Sequence, residues 1–519
     1  MGNTNLDPGS RSARIQELFD KLFGGRRPVV VSHRGPVTYH LDEDGLHPKP
    51  SAGGLAGALR CLDGHAPLTW VACAASEGDH LVATRPTAPA PLQGGSLRLR
   101  LVALPRQVYH WHYEVFSNPI LWFVQHGLAD QLFPEHRRVM DEAWAQGYVP
   151  ANVWFASHVA RELRQQDTAP TVFVHDYHLY LLPGLLRQQF PGITIHHFLH
   201  IPWPEPASWC FLSTPVRQAI VESLAAADVV GFQTHRSAHN FLQTCRALLP
   251  DAVVDEEGGL VEWRGRQVCV RAYPISVDPR HLRSLRATPE FRCHQARFRD
   301  MAKGRVIVRV DRLDPSKNVL RGFEAFARLL ERRPAWREAV TFLSFLVPSR
   351  STIPEYRQLA ERTLAAVKEI NQRFGTETWQ PIHLFYQHDQ VQALAGLSIA
   401  DVVLVNPVAD GMNLVAKEAI VVNERDGVLV LSKRAGAYEE LWPGCLGINP
   451  FDVDATANAL AEALDMPEGE RRQRLRLLKQ IVEESDLQTW FANQLEDLAR
   501  FRDEGCQPTL SASPEVVYH

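Results

Sequence analysis

The chain has no excess of positive charge, no paired-cysteine spacing and no long apolar run. Its 519 residues carry 55 Lys and Arg against 59 Asp and Glu, a formal net charge of −4. A nucleic-acid or anionic-membrane partner wants a basic face, so this balance argues against both. A few well-placed cations could still bind an anionic small molecule. The eight cysteines (Cys61, Cys73, Cys210, Cys245, Cys269, Cys293, Cys445 and Cys506) show no C-x-x-C pair and no matching His spacing. That pattern excludes a recognisable disulfide frame or zinc site and points to reduced, mostly buried thiols of a cytoplasmic protein. The longest mostly apolar run, Ala339 to Val347, is far too short to span a bilayer. No apolar stretch follows the first ten residues, so no secretory signal is expected, and Leu6 stands where myristoylation wants Ser or Thr.

What the chain does have is a globular composition, 45% apolar and 22% charged, at a length that predicts two or three domains. Two long segments repeat one grammar of β-branched strand, loop and helix, which predicts doubly wound, Rossmann-like α/β domains. A polar lead (residues 1–25) holds one amphipathic helix from Ala13 to Phe23. The first domain is expected over 26–274, with strands read at Pro28–Ser32, Trp70–Ala75, Val172–His175, Ile193–His200 and Asp228–Gln233. A proline-flanked crossing, Tyr273–Pro279, ends it. The second domain is expected over 275–483, its strands starting near Arg305, Thr341, Pro381, Asp401, Gly427 and Cys445. A long helical tail from Pro467 to Phe501 follows, and residues 505–519 read as a frayed end.

The stretch Ile399–Glu418, I-A-D-V-V-L-V-N-P-V-A-D-G-M-N-L-V-A-K-E, shows where function could sit. A buried strand breaks at Asn406, Pro407 and Asp410-Gly411, and a helix opens with Asn413 as N-cap. Ligands of open α/β sheets bind where strands end and helices begin. A helix N-terminus offers free N–H groups and a positive dipole end to a phosphate or sugar oxygen. Asp410 and Glu418 flank that terminus, and read equally as an ordinary loop Asp and a solvated helix Glu.

The same rule selects Arg34, Asp176 and His200 in the first half and Arg312, Lys317, Arg350 and Asp410 in the second. Each alone reads as well as a cap, a surface charge or a satisfied core histidine. Together, in two domains expected to face across a cleft, they supply four cations for phosphate and carboxylate or imidazole groups for sugar hydroxyls. Ser51-Ala-Gly-Gly-Leu suits either close approach to a phosphate or tight helix packing. The aromatic stretch Tyr109–Gly127 fits either a core or a sugar pocket. Asp314 reads as an N-cap with Pro315 at the first helical position. Asp452-Val453-Asp454 has the form of a metal–diphosphate clamp, but it precedes a helix, where an N-cap is the simpler reading. With no metal cluster in view, Arg and Lys must stabilise a leaving diphosphate.

The motifs V-S-H-R-G-P, S-A-G-G-L, F-S-N-P-I-L-W, H-D-Y-H-L, F-L-H-I-P-W-P, G-F-Q-T, D-R-L-D-P-S-K, P-S-R and D-G-M-N-L-V-A-K-E run from about Val29 to about Arg500. In these the chain resembles the trehalose-6-phosphate synthases, a family of retaining GT-B-type glycosyltransferases with pseudo-glycosyltransferase relatives. The resemblance implies glucosyl transfer, with retention, from a nucleoside diphosphate glucose to glucose 6-phosphate. It implies that Arg312 and Lys317 bind the donor diphosphate and, with His200 and Asp410, carry the chemistry. Asp410, Gly411, Met412, Asn413, Leu414 and Val415 would hold the donor sugar, and Glu418 the ribose hydroxyls. His200 would contact a sugar hydroxyl, and Gly54 would let the glycine loop close on the donor. Arg34, Tyr113, Trp122 and Arg350 match acceptor-phosphate positions, and Trp70 and Asp176 acceptor-sugar positions. The leaving phosphate itself would accept the acceptor's proton, so neither a protein nucleophile nor a metal cofactor is implied. The implied partners are small molecules, with a homo-oligomer left open, and the helix at 484–504 around Trp490 would cross back onto the first domain.

Three positions depart from the family: His33 where Asn is common, Ala409 where many members carry Arg, and Asn318 where related transferases usually have Gly. The resemblance leaves the donor base open. It also leaves open a cyclitol donor with another phosphorylated acceptor, and a non-catalytic sugar-phosphate sensor.

Overall fold

The computed structural model describes residues 8–43, 45–51, 67–85, 97–166 and 171–505. The chain gathers into two compact units, one running to Pro274 and resuming at Leu487, the other Ile275–Asp486.

The first unit contains β1 (Val29–Ser32), β2 (Val37–Asp42), β3 (Gly45–Pro50), β4 (Thr69–Cys73), β5 (Arg98–Val102), β6 (Thr171–His175), β7 (Thr194–Phe198), β8 (Val229–Phe232), β9 (Val253–Asp255), β10 (Leu260–Trp263) and β11 (Arg266–Ala272). The hairpin β2–β3 pairs only with itself; the others form one sheet in the order β5-β4-β1-β6-β7-β8-β11-β10-β9. From β5 to β11 the pairing is parallel, and β10 and β9 add an antiparallel edge. The short central strands, such as Val29–Ser32 and Thr171–His175, are buried at every residue, as strands covered on both faces must be. Winding proceeds from β1 through β4 to β5 on one side and from β6 through β8 on the other. The order therefore reverses between β1 and β6, and the loops leaving those strands flank the place where an open sheet binds ligands.

The N-terminal helix is longer than its periodicity predicts, Pro8–Phe23, because a proline is tolerated in a first helical turn. Its buried face, Ile15, Leu18, Phe19, Leu22 and Phe23, makes it part of the first unit rather than a detached lead. It packs on Leu487–Glu504, with Phe19 6.0 Å from Phe491 and Lys21 paired to Asp503 at 2.8 Å. The predicted continuous tail is instead two helices, Glu468–Glu484 and Leu487–Glu504, broken at Ser485–Asp486, residue types that compete with helical hydrogen bonding. The second of them returns to the first unit: Trp490 Nε1 donates to the Tyr273 carbonyl at 3.1 Å, and the Tyr273 hydroxyl donates to Asp497 at 2.9 Å.

The second unit is a six-stranded parallel sheet of β12 (Arg305–Arg312), β13 (Val340–Val347), β14 (Ile382–Tyr386), β15 (Val402–Val405), β16 (Val428–Ser432) and β17 (Leu446–Ile448), ordered β14-β13-β12-β15-β16-β17. Its core joins Ile307, Phe342, Leu404 and Val430 of the sheet to Phe323, Phe326, Leu460 and Leu464 of the flanking helices. Here the winding reverses between β12 and β15.

Among the described residues, Cys73, Cys210, Cys245, Cys293 and Cys445 are free, whereas Cys269 is disulfide-bonded. That corrects the reading of all eight as reduced thiols; spacing along a chain does not reveal which sulfurs meet in space. No helix of the described residues is long and apolar enough to cross a membrane.

Candidate active site

The loops leaving β12 and β15 hold the donor candidates. β12 ends on the exposed Arg312. Asp314 then caps a 3-10 turn, Pro315–Lys317, and not the long helix, which starts only at Val319. What separates the two is Asn318 in left-handed backbone (φ 58°). Asn is one of the few side chains that tolerate this conformation, and here its amide donates to the carbonyls of Asn406 (3.0 Å) and Pro450 (2.7 Å). The departure at Asn318 thus falls where a glycine's freedom is the usual solution.

The Lys317 ammonium donates to the Asp410 carboxylate, and Asn413 Nδ2 donates to the same oxygen at 3.0 Å. Asn413 also caps Leu414–Val422 by accepting the Ala416 N–H at 3.1 Å. Helix geometry leaves the N–H groups of Leu414 and Val415 without intrahelical acceptors. Gly411 and Met412 are buried, and the Met412 carbonyl accepts the Ala437 N–H at 2.7 Å. Glu418, one turn further along the helix, is partly exposed by area, yet desolvation raises its carboxyl to about 7. Arg350, after β13, also has left-handed backbone (φ 46°) and donates to Asp314 at 3.2 Å and to the Tyr356 hydroxyl. Gly54 lies outside the described residues.

In the first unit, the loops after β1 and β6 meet through rings. His33 stacks on Tyr113 (4.5 Å) and on His178 (4.6 Å), which brings the neighbourhoods of Arg34, Tyr113 and Asp176 together. Arg34 is exposed; the nearby Tyr109 phenol is pushed well above its ordinary range by burial, against which the Arg34 charge works only weakly. Asp176 has φ 73° and ψ 172°, a region open essentially to glycine alone, so the surroundings must enforce it. Its carboxylate accepts the His200 N–H at 3.3 Å. The His200 ring is hydrogen-bonded through Nε2 to His175 (3.3 Å) and through Nδ1 to the Gln233 amide (3.3 Å). Burial lowers His200 to about 3 and His175 well below the ordinary imidazole range, so both are neutral at pH 7. Trp70 and Trp122 are buried. Trp70 donates to Ser32 Oγ at 2.8 Å, and Ser32 in turn donates to the Arg34 carbonyl at 2.6 Å, so Trp70 stands behind the Arg34 loop. Trp122 stacks on His126 at 4.2 Å.

A model described as Glycosyltransferase family 20 matches residues 26–500. The chain belongs to that family. A Schizosaccharomyces pombe protein named alpha,alpha-trehalose-phosphate synthase [UDP-forming] is 33% identical over 94% of this chain and 93% of its own. A Sinorhizobium fredii trehalose-6-phosphate synthase is 35% identical over 92% of this chain and 99% of its own. A Burkholderia xenovorans alpha,alpha-trehalose-phosphate synthase (UDP-forming), solved with glucose-6-phosphate, superposes with TM-score 0.78 at 31% identity, covering 91% of this chain and 99% of that one. The Escherichia coli structure bound with UDP-2-fluoro glucose gives TM-score 0.78 at 29% identity, with the same two coverages, 91% and 99%. The mixed α/β architecture, one mostly parallel and one fully parallel sheet, is thus the GT-B fold of this family.

In this family 20 chain several residues that matter to the site carry no sequence signal as site residues. Besides its cap bond from the Ser316 N–H (3.0 Å), Asp314 accepts from Arg350 at 3.2 Å, which its reading as a helix cap alone does not anticipate. Arg434 donates from Nε to the Val408 carbonyl at 2.6 Å, beside Ala409. Arg309 and Asp311, two apart on one strand face, pair with each other inside β12, and neither is singled out by the sequence. Asp452 does cap a helix, Val453–Asp465, while Asp454 pairs with Arg328 and Arg332. One group among the described residues, Glu290, His294 and Asp389, could converge on a metal ion. Its carboxylates already have helix roles: Asp389 caps Gln390–Ser398, and Glu290 sits in the first turn of Pro289–Met301.

Proposed function

We propose that this family 20 enzyme transfers a glucosyl group, with retention, from uridine diphosphate glucose to glucose 6-phosphate, releasing trehalose 6-phosphate and UDP. The observation that carries the reading is the Lys317–Asp410–Asn413 contact at the N-terminus of Leu414–Val422, between the two strands where the sheet order reverses. The names of the relatives, and the two ligands of the solved structures, support the same donor and acceptor.

In this reaction the bond from the glucosyl C1 to the diphosphate oxygen breaks, and negative charge builds on the departing phosphate. Arg312 and Lys317 offset that charge. Asp410 accepts hydrogen bonds from the sugar, the amides of Leu414 and Val415 donate to its oxygens, and Glu418 accepts from the ribose hydroxyls. The acceptor hydroxyl forms the new bond on the face the diphosphate leaves, and its proton passes to the leaving phosphate oxygen. Neutral His200 exchanges one of its present partners for a sugar hydroxyl. The family resemblance assigns Arg34, Tyr113 and Arg350 to the acceptor phosphate and Asp176 to the acceptor sugar. No protein nucleophile and no metal enters, so turnover is expected to persist in a chelator.

The test is a screen of nucleoside diphosphate glucoses with glucose 6-phosphate, scored by nucleoside diphosphate release and product mass. UDP release with a trehalose 6-phosphate mass is expected. Release with no base would sink the reading, and another product mass would move it to a different acceptor or donor.

A further inference from the structure

We infer that Arg309, which lies outside every donor and acceptor position above, is a positioning residue that fixes the diphosphate-binding loop beneath Lys317. The inference rests on the donor reading of Lys317.

Arg309 lies inside β12 and is fully buried. Its Nε and Nη2 both donate to Asp311 Oδ2, at 3.1 and 2.8 Å. Residues two apart on a strand share a face, so this pair is set by the strand itself. The same guanidinium then reaches out of the sheet. Nη2 donates to the Lys317 carbonyl at 3.0 Å, and Nη1 to the Val319 carbonyl at 3.2 Å. These two carbonyls bracket Asn318, the left-handed residue that turns the chain from the 3-10 turn into the helix. A Cβ at position 322 would collide with Nη1, so Gly322 is what admits the guanidinium.

One planar fork therefore joins a strand carboxylate to both sides of the loop's sharpest bend. A lysine ammonium, a single point on a flexible stem, has no geometry for all three partners. With both flanking carbonyls held, the direction in which the Lys317 side chain leaves the backbone is held as well. That direction is the one that puts its ammonium on Asp410.

Removing Arg309 alone strands the Asp311 charge and could unfold the protein. The deciding variant is therefore Arg309→Met with Asp311→Asn, which removes both charges together. In the full-length enzyme, with uridine diphosphate glucose and glucose 6-phosphate, this variant is expected to unfold near the parent temperature. Its donor KM should rise about tenfold or more while its acceptor KM stays within about twofold. A merely structural role would lower the unfolding temperature and the active fraction without separating the two KM values. Lys317→Ala is the control. If it leaves donor KM unchanged, the donor reading itself has failed. If it raises donor KM while the double variant keeps the parent value, the positioning role is overturned. Should the double variant not fold, Arg309→Lys decides: a raised donor KM supports the role, and an unchanged one overturns it.

Discussion

The ammonium of Lys317 donates to the carboxylate of Asp410, 93 positions further along the chain. Main chain fixes the partner from behind: the Asp410 N–H donates to the Arg434 carbonyl at 3.2 Å, and its own carbonyl accepts the Gly436 N–H at 3.0 Å. Both side chains are mostly buried, so each charge acts with less screening than at the surface. Under the donor assignment proposed above, a diphosphate and a sugar hydroxyl would compete for charges already in position rather than recruit them.

Arg312 differs from Lys317 in having no such burial; it stands exposed at the end of β12. Its expected role is felt when charge builds on the leaving phosphate, so Arg312→Ala should lower kcat more than it raises donor KM. One contact of this kind is worth about 3 kcal/mol, roughly a hundredfold or more in kcat. Steady-state kinetics against the donor check this, and near-normal turnover would misplace the donor site. Arg350→Ala, by contrast, should raise the acceptor KM.

Asn318 invites a stability comparison. Ala in left-handed backbone costs about 1–2 kcal/mol relative to a residue that accepts it. Asn318→Ala also strips hydrogen bonds from the carbonyls of Asn406 and Pro450, whereas Asn318→Gly keeps the conformation and loses only the bonds. Denaturant unfolding should therefore rank the parent first, the Gly variant second and the Ala variant last, the last two differing by about 1 kcal/mol. Equal stability of the two variants would remove backbone strain from the account.

The strands and the loops that bear Arg312, Asp410 and Arg34 were legible because short β-branched runs and loop formers are local signals. The same holds for Asn413 as a cap, since it needs only its neighbour Ala416. Arg309 and Arg434 were not legible as loop supports, because their partners lie on other loops and no spacing announces a hydrogen bond to a distant carbonyl. The hairpin β2–β3 escaped too: its second strand, Gly-Leu-His-Pro-Lys-Pro, has two prolines and little alternation. The helical pattern read along Pro467 to Phe501 carries no mark of the break at Ser485, whereas the helix at 484–504 implied by the family resemblance lies close to the observed Leu487–Glu504.

The first unit should be sensitive to acid. Burial lowers His112, His196, His197 and His200 to about 3, and His175 well below the ordinary range. Unfolded imidazoles titrate near about 6.5, so between these values the unfolded chain binds more protons and stability falls as pH drops. His196 sits among Phe173 (5.6 Å), Tyr273 (6.0 Å) and Phe198 (6.4 Å), where another ring can replace it. His196→Phe should make unfolding temperature less steep against pH between about 6.5 and 4.5; an unchanged slope would take His196 out of the acid response.

Glu418 carries the opposite sign. Its carboxyl is raised from 4.5 to about 7 by desolvation. Between those values the folded protein keeps a proton that the unfolded chain has lost. Its stabilising contribution is therefore full below 4.5 and lost as pH rises through 7. Donor binding should run the other way, because a carboxylate accepts from two ribose hydroxyls whereas the protonated acid spends one oxygen as a donor. The donor kcat/KM, which reports groups of the free enzyme, is thus expected to climb as pH rises through 7 even as the fold loses stability over the same window. Glu418→Gln keeps the shape and removes the titration. It should flatten the climb near 7, lower the plateau, and abolish the matching fall in unfolding temperature. A profile that keeps its inflection in this variant would assign the titration to another group and detach Glu418 from the ribose.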